Sequence, residues 1–322
     1  MTKKSRRVAT IFALGGAGAL VLSACSGAGG SDTKEIAFIQ GVAGDEFYIS
    51  MQCSIEQEAA AEGFTVNTQG PTQFDPTLQR TVLDSVIASR PDAILIAPTD
   101  ATAMQAPLAA AAREGIEVVL VDATVDDPSF AVSQVASDNI GGGAEAFHAI
   151  QQMNPDGGKV LAMDLYPGVS TTNARAEGFE QAVAQDPSFD YLGVQYSHND
   201  PAEAARLMTA ALSRDPDIVG VFATNLFASE GTATGLRQAN MQDQVKLVGF
   251  DAGPAQVDQL REGTVQALIA QEPATIGKDG VEQAVAALDG RPVTASIQTG
   301  FQVITAENLD TDGAEWVYKS SC

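Results

Sequence analysis

Four hydrogen-bonding side chains stand just beyond short apolar runs. Val118–Val121 is followed by Asp122, Ile218–Ala223 leads to Asn225, Leu247–Phe250 is followed by Asp251, and Ala267–Ala270 by Gln271. Carboxylates accept hydrogen bonds and amides both donate and accept, the repertoire that binds hydroxyl groups. Phe47-Tyr48 opens the first helical pattern after the first apolar run and adds two aromatic faces. Apolar plates with a few convergent polar groups make a small-molecule pocket. An Asp after a strand is more often a cap or turn residue, so only the set carries weight. Reaction chemistry has little to work with. The chain holds two histidines and three cysteines, with no G-x-S-x-G and no P-loop. His148, inside Ala146–Ile150, reads as a helix-packing residue, and His198 as a loop residue before a cap at Asp200. No catalytic residue and no cofactor is expected.

The elements that must position these residues are legible. Apolar runs at Ile36–Ile39, Ala93–Ala97, Val118–Val121, Val160–Met163, Ile218–Ala223, Leu247–Phe250 and Ala267–Ala270 are continuous rather than alternating. Strands covered on both faces require that pattern. Helical stretches lie between them, such as Leu78, Val82 and Val86, and Asp200-Pro201-Ala202-Glu203 marks a helix start. Repeated strand–helix units predict an α/β fold with open parallel sheets and right-handed crossovers. Ligands of such sheets bind beyond the carboxyl ends of the strands. The length of 322 residues suggests about two domains.

Charge narrows the partners. Lys and Arg number 18 against 41 Asp and Glu, a net charge of −23, which repels phosphate backbones and argues against nucleic acid. Four of the cations, Lys3, Lys4, Arg6 and Arg7, fall in an acid-free leader. Val8–Leu22 is apolar but too short to span a bilayer, so residues 1–24 read as an export signal. Gly15-Gly16-Ala17-Gly18 lies in its apolar core and is no phosphate loop. Leu22-Ser23-Ala24-Cys25 resembles the lipobox of bacterial lipoproteins, which implies cleavage before Cys25 and its acylation. A Gly/Ser tether follows, so residues 25–34 are expected to moor the protein outside the cytoplasm. Cys53 lies off the apolar stripe Tyr48, Met51, Ile55 and Ala59; in an oxidising setting, a bridge to Cys322 is the preferred reading.

Several segments, in order, are similar to signatures of the ribose/galactose-type (type I) periplasmic sugar-binding proteins. They are Ala97-Pro98-Thr99-Asp100, Ala136-Ser137-Asp138-Asn139, Arg175-Ala176-Glu177-Gly178-Phe179, Val248-Gly249-Phe250-Asp251 and Ile269-Ala270-Gln271. The resemblance runs from about residue 35 to about residue 305. It implies two Rossmann-like lobes with parallel sheets, joined by three hinge strands and closing on a sugar that is passed to an ABC import permease. One lobe would comprise residues 35–136 and 272–298, the other 137–271 and 299–315, with 316–322 a C-terminal tail; the crossings would fall near Ala136–Asp138, Gln271 and Ser296–Phe301.

Carried over residue by residue, the resemblance places ligand contacts at Asp45, Phe47, Tyr48, Asp122, Arg175, Asn225, Asp251 and Gln271. Departures alter the expected ligand. Ala123 stands where ribose-type members carry Arg, Asn199 where an aromatic is common, and Asp45 where Asn is common. Three carboxylates against Arg175 predict a neutral sugar or polyol rather than an anion. A monomer is expected. The alternatives are a receptor presenting sugar to a sensor kinase or chemoreceptor, a regulatory effector domain, and an α/β enzyme. An effector domain would carry a helix-turn-helix where this chain carries a leader. Asn308–Gly313 matches half of a calcium loop, but Lys319 stands where the ligating Glu belongs, so no metal is expected.

Overall fold

The computed structural model describes residues 34–322. The leader, Cys25 and the tether through residue 33 lie outside the described residues. The chain begins with β1 (Glu35–Ile39), α1 (Glu46–Ala61), β2 (Thr65–Gln69), α2 (Pro76–Ser89), β3 (Ala93–Ile96), α3 (Gln105–Arg113), β4 (Glu117–Val121) and β5 (Ser133–Ser137). It continues through α4 (Asn139–Met153), β6 (Gly158–Asp164), α5 (Ser170–Val183), β7 (Phe189–Tyr196), α6 (Pro201–Arg214) and β8 (Ile218–Ala223). Then come α7 (Leu226–Gln238), β9 (Lys246–Phe250), α8 (Pro254–Arg261), β10 (Ala267–Gln271), α9 (Pro273–Leu288), β11 (Ser296–Thr299) and β12 (Phe301–Ile304).

Two six-stranded sheets result, ordered β2-β1-β3-β4-β5-β11 and β7-β6-β8-β9-β10-β12. Every pairing is parallel except β10 with β12. The α/β reading with two parallel-sheet lobes therefore stands. Central strands bury nearly every residue: β3 is buried throughout and β4 in all but its first residue. Helices on both faces supply that cover.

The chain passes between the lobes three times. After β5 it turns at Asp138, whose carboxylate caps α4, and α4 packs on β9 and β10 of the second sheet. After β10 it returns at Glu272, and α9 packs on β3, β4 and β5 of the first sheet. Gly300 alone separates β11 in the first sheet from β12 in the second.

Local starts follow side-chain chemistry. Asp200 accepts from the backbone N–H of Ala202 at 2.7 Å and of Glu203 at 3.3 Å, with Pro201 in the first turn of α6. Asp75 does the same for α2 ahead of Pro76. Glycines in both helices bring α4 and α5 unusually close. A Cβ on Gly143 would lie 2.0 Å from the Arg175 carbonyl oxygen, and one on Gly178 2.0 Å from that of Ile140. Gly142 likewise leaves room for the Phe250 ring.

Two expectations shift by one residue. In α2 the buried face carries Gln79, Leu83 and Val86, while Leu78 is exposed. Gln79 takes the inner position because its amide donates to the carbonyls of Gln40 and Ala97 and accepts from the N–H and hydroxyl of Thr99. Four satisfied partners offset the cost of burying an amide. His148 is on the exposed face of α4, 3.4 Å from Glu145, because Phe147 and Ile150 occupy the buried stripe. Cys53 and Cys322 form a disulfide.

Candidate functional site

The carboxyl ends of both sheets face a common cleft. Asp122 follows β4 and Asp251 follows β9, the corresponding strand of the other sheet. Both adopt left-handed backbone, at φ +63° and +78°. Each N–H donates to a carbonyl of the next strand, Asp122 to Val135 at 2.8 Å and Asp251 to Ile269 at 2.9 Å. A non-glycine residue in this region costs on the order of 1 kcal/mol, and such outliers gather where geometry serves a site.

Phe47 and Tyr48 sit in the first turn of α1, started by Asp45, whose carboxylate accepts from the Phe47 N–H at 2.8 Å. The two rings meet edge-on at 5.2 Å. The Tyr48 hydroxyl donates to Asp122 Oδ2 at 3.0 Å, fixing that carboxylate from the first lobe. From the second lobe, α5 projects Arg175. Its Nε donates to Asn139 Oδ1 at 2.8 Å, its Nη1 to the Thr224 carbonyl at 2.9 Å, and the guanidinium lies 3.8 Å over the Phe250 ring. Asn225 caps α7, and its amide donates to Asn199 Oδ1 at 2.7 Å.

Gln271 ends β10 at a lobe crossing. It donates to Asp251 Oδ1 at 2.7 Å, while its own carbonyl oxygen accepts from Ser137 Oγ of β5 at 2.8 Å. That pair joins the ends of two hinge segments. Asp251 Oδ2 accepts from the Leu226 N–H at 3.0 Å, and Oδ1 also from the Tyr318 hydroxyl at 3.1 Å.

All eight residues expected from sequence line one cavity, and all are buried. Phe74, Thr171, Thr172 and Asn199 line it as well. Phe74 and Asn199 also border an open depression with Tyr166 and His198, so they stand at its mouth. His198 and Asn199 both have positive φ, a tight turn that aims Asn199 inward. Missing from the sequence reading were Asp164 and Tyr318. Asp164 is buried beneath the site, accepting from the Leu165 N–H and the Thr224 hydroxyl, both at 2.7 Å. Its signal was present: it terminates the run Val160–Met163, as Asp122 and Asp251 terminate theirs. Tyr318 sits in the tail, beyond any periodic element, and had no such signal.

Electrostatics favours uncharged partners. Burial pushes the Asp122 carboxyl up to about 6, against the pull of Arg175 and the Tyr48 hydroxyl. Burial also raises Asp45 well above its ordinary range, with further repulsion from Asp251, and raises Asp251 and Asp164. A single guanidinium serves this cluster of acids. Among the described residues no group of three or more His, Cys, Asp or Glu side chains is arranged to hold a metal ion.

A family model described as a periplasmic binding protein domain matches residues 36–292. The chain belongs to the periplasmic binding protein family. Its relatives place it with the ribose-type members. The ribose import binding protein RbsB of Salmonella typhimurium is 31% identical over 288 residues, 89% of this chain and 95% of that protein. An ABC transporter solute binding protein of Agrobacterium vitis, bound with alpha-D-tagatopyranose, superposes with a TM-score of 0.87 at 41% identity, covering 89% of this chain and all of that one. A carbohydrate transporter solute binding protein of Agrobacterium radiobacter, in complex with D-arabinose, gives 0.85 at 26% identity over 90% of this chain and 100% of the other. These relatives are binding proteins of transport systems, not enzymes, and this chain is likewise a non-enzymatic binding protein.

Proposed function

We propose that this chain is an extracytoplasmic lipoprotein that captures a neutral sugar or polyol between its lobes and delivers it to an ABC import permease. The carrying observation is the convergence on one buried cavity of Asp45, Phe47, Tyr48 and Asp122 from one lobe and Arg175, Asn225, Asp251 and Gln271 from the other. Asp122 and Asp251 accept from hydroxyl pairs, Arg175 donates in a fixed fork, and Asn225 and Gln271 do both. Phe47 packs on the apolar C–H face of the ring. Residues 35–137 with 272–299 and residues 138–271 with 300–315 act as the two rigid lobes, one residue past the expected bounds because Ser137 and Thr299 pair in the first sheet. Sugar contacts shared between them favour the closed state through their differential free energy, and the permease reads that shape.

Asn199 and Ala123 replace an aromatic and an arginine, so the ligand differs from ribose in the groups those residues would meet. The sugars held by the relatives, tagatose and arabinose, are the first candidates. Acylated Cys25 moors a monomer at the membrane and raises its concentration near the permease. A thermal-shift and calorimetry screen of the purified protein against D-tagatose, D-arabinose, D-ribose and D-allose, with sugar phosphates as controls, tests the reading. A neutral binder at about 100 times its dissociation constant adds about 2.7 kcal/mol of stability. Response to sugar phosphates alone would overturn it.

A further inference from the structure

The C-terminal tail leaves the second sheet at β12 and ends on a helix of the first lobe. On the way, the Tyr318 N–H donates to the Ala252 carbonyl at 2.9 Å, beside Asp251. One residue later the Lys319 N–H donates to Ser50 Oγ of α1 at 2.7 Å, and Cys322 is bonded to Cys53 of the same helix, 269 residues away in sequence. Tyr318 is held between these anchors and is buried. Its hydroxyl is used in both senses: it accepts from the Gln271 N–H at 3.0 Å and donates to Asp251 Oδ1 at 3.1 Å. Its ring lies 5.8 Å from that of Phe47, which lines the cavity.

We propose that residues 313–322 form a positioning strap: pinned to α1 by the Cys53–Cys322 bridge, the strap sets ligand affinity through the Tyr318 hydroxyl, which orients Asp251 and Gln271. The affinity part rests on the sugar-binding reading above. Tyr318 does not itself line the cavity and acts through Asp251 and Gln271, which do. Beyond the three chain crossings, the bridge is a fourth covalent connection between the lobes. Without it, the exposed segment Lys319–Cys322 keeps only the single hydrogen bond at Ser50 to tie the end of the tail to α1. The Asp251 carboxylate is faced by Arg175 from α5, by Asp45 at the start of α1, by Asp122 after β4 and by Tyr318. Donation from the tyrosine favours its ionised form, which is the form that accepts from sugar hydroxyls.

The test has two arms. In the first, with no sugar present, hydrogen exchange at the Gln271 amide is compared in the wild type, in Tyr318→Phe and in Cys53→Ser/Cys322→Ser. Exchange is expected to quicken at least about tenfold in both variants, because the amide loses its acceptor or the acceptor loses its anchor. An unchanged rate in both overturns the strap. Tyr318→Phe keeps the ring packing, and treating folded wild type with a phosphine reductant replaces the double variant should that fail to fold. In the second arm, D-tagatose, or whichever sugar of the screen binds, is titrated across the pH range. Tyr318→Phe should bind about tenfold more weakly near neutrality, with the acid limb of its affinity moved to higher pH. A merely structural loss would lower the melting temperature and leave that limb in place, and would overturn the role assigned to Tyr318. Should no sugar bind the wild type, the function reading fails while the exchange arm still decides the strap.

Discussion

Asp122 offers a prediction whose size follows from its surroundings. Its carboxyl is held at about 6 against an ordinary 3.8, chiefly by burial. The difference of about two units corresponds to about 3 kcal/mol between the charged and neutral forms. The sign follows from linkage. The folded protein binds this proton more tightly than the unfolded chain, so its contribution is fully present below the ordinary carboxylate range and is lost as pH rises through about 6. Acidifying from about pH 7.5 to about pH 5 should therefore add about 1.4 kcal/mol to the unfolding free energy from this group alone. Sugar binding should move the other way. At about pH 5 only about a tenth of Asp122 is ionised, and affinity should fall about tenfold as the acceptor is lost. Urea denaturation and calorimetry at both pH values, on the wild type and on Asp122→Asn, provide the assay. The comparison removes the general effect of an acidic surface, which both proteins share. Equal pH dependence of stability in the two proteins would refute the reasoning.

Two further outcomes follow from the packing. Arg175→Lys keeps the charge but loses the fork to Asn139 and Thr224 and the stacking on Phe250; sugar affinity measured by calorimetry should fall on the order of 100-fold. Gly143→Ala puts a methyl against the Arg175 carbonyl and should destabilise by about 2 kcal/mol in chemical denaturation, while also weakening sugar binding because α5 must move; wild-type affinity in that variant would sever the link between helix packing and site.

What could be read from the chain depended on burial. Strands covered on both faces, such as β3 and β9, appear as unbroken apolar runs and were legible. β2, β5, β7, β11 and β12 were not, because half-exposed or hinge strands carry polar residues, as in Thr65–Gln69 and Ser296–Thr299. The polar residues that end the buried runs were visible, since an Asp or Gln after such a run breaks its pattern. Arg175 and Asp45 had no such break. Arg175 lies in a helix with little apolar bias, and Asp45 reads as an ordinary cap; the family resemblance supplied both. Gln79 escaped because a fully buried amide imitates a surface residue in any count of apolar spacing. Asn199 reaches the cavity only through a pair of left-handed residues that composition does not announce.

The return of the chain to its first sheet has a consequence for biosynthesis. The Ser54 hydroxyl on α1 bonds the Ala274 carbonyl at the start of α9, 220 residues later. Until α9 and β11 emerge, the side of α1 that meets α9 and the outer edge of β5 stay uncovered. Such distant pairings make acquisition of the native state slow. The first lobe therefore closes late: its leading half stays unlocked until nearly all of the chain has been made.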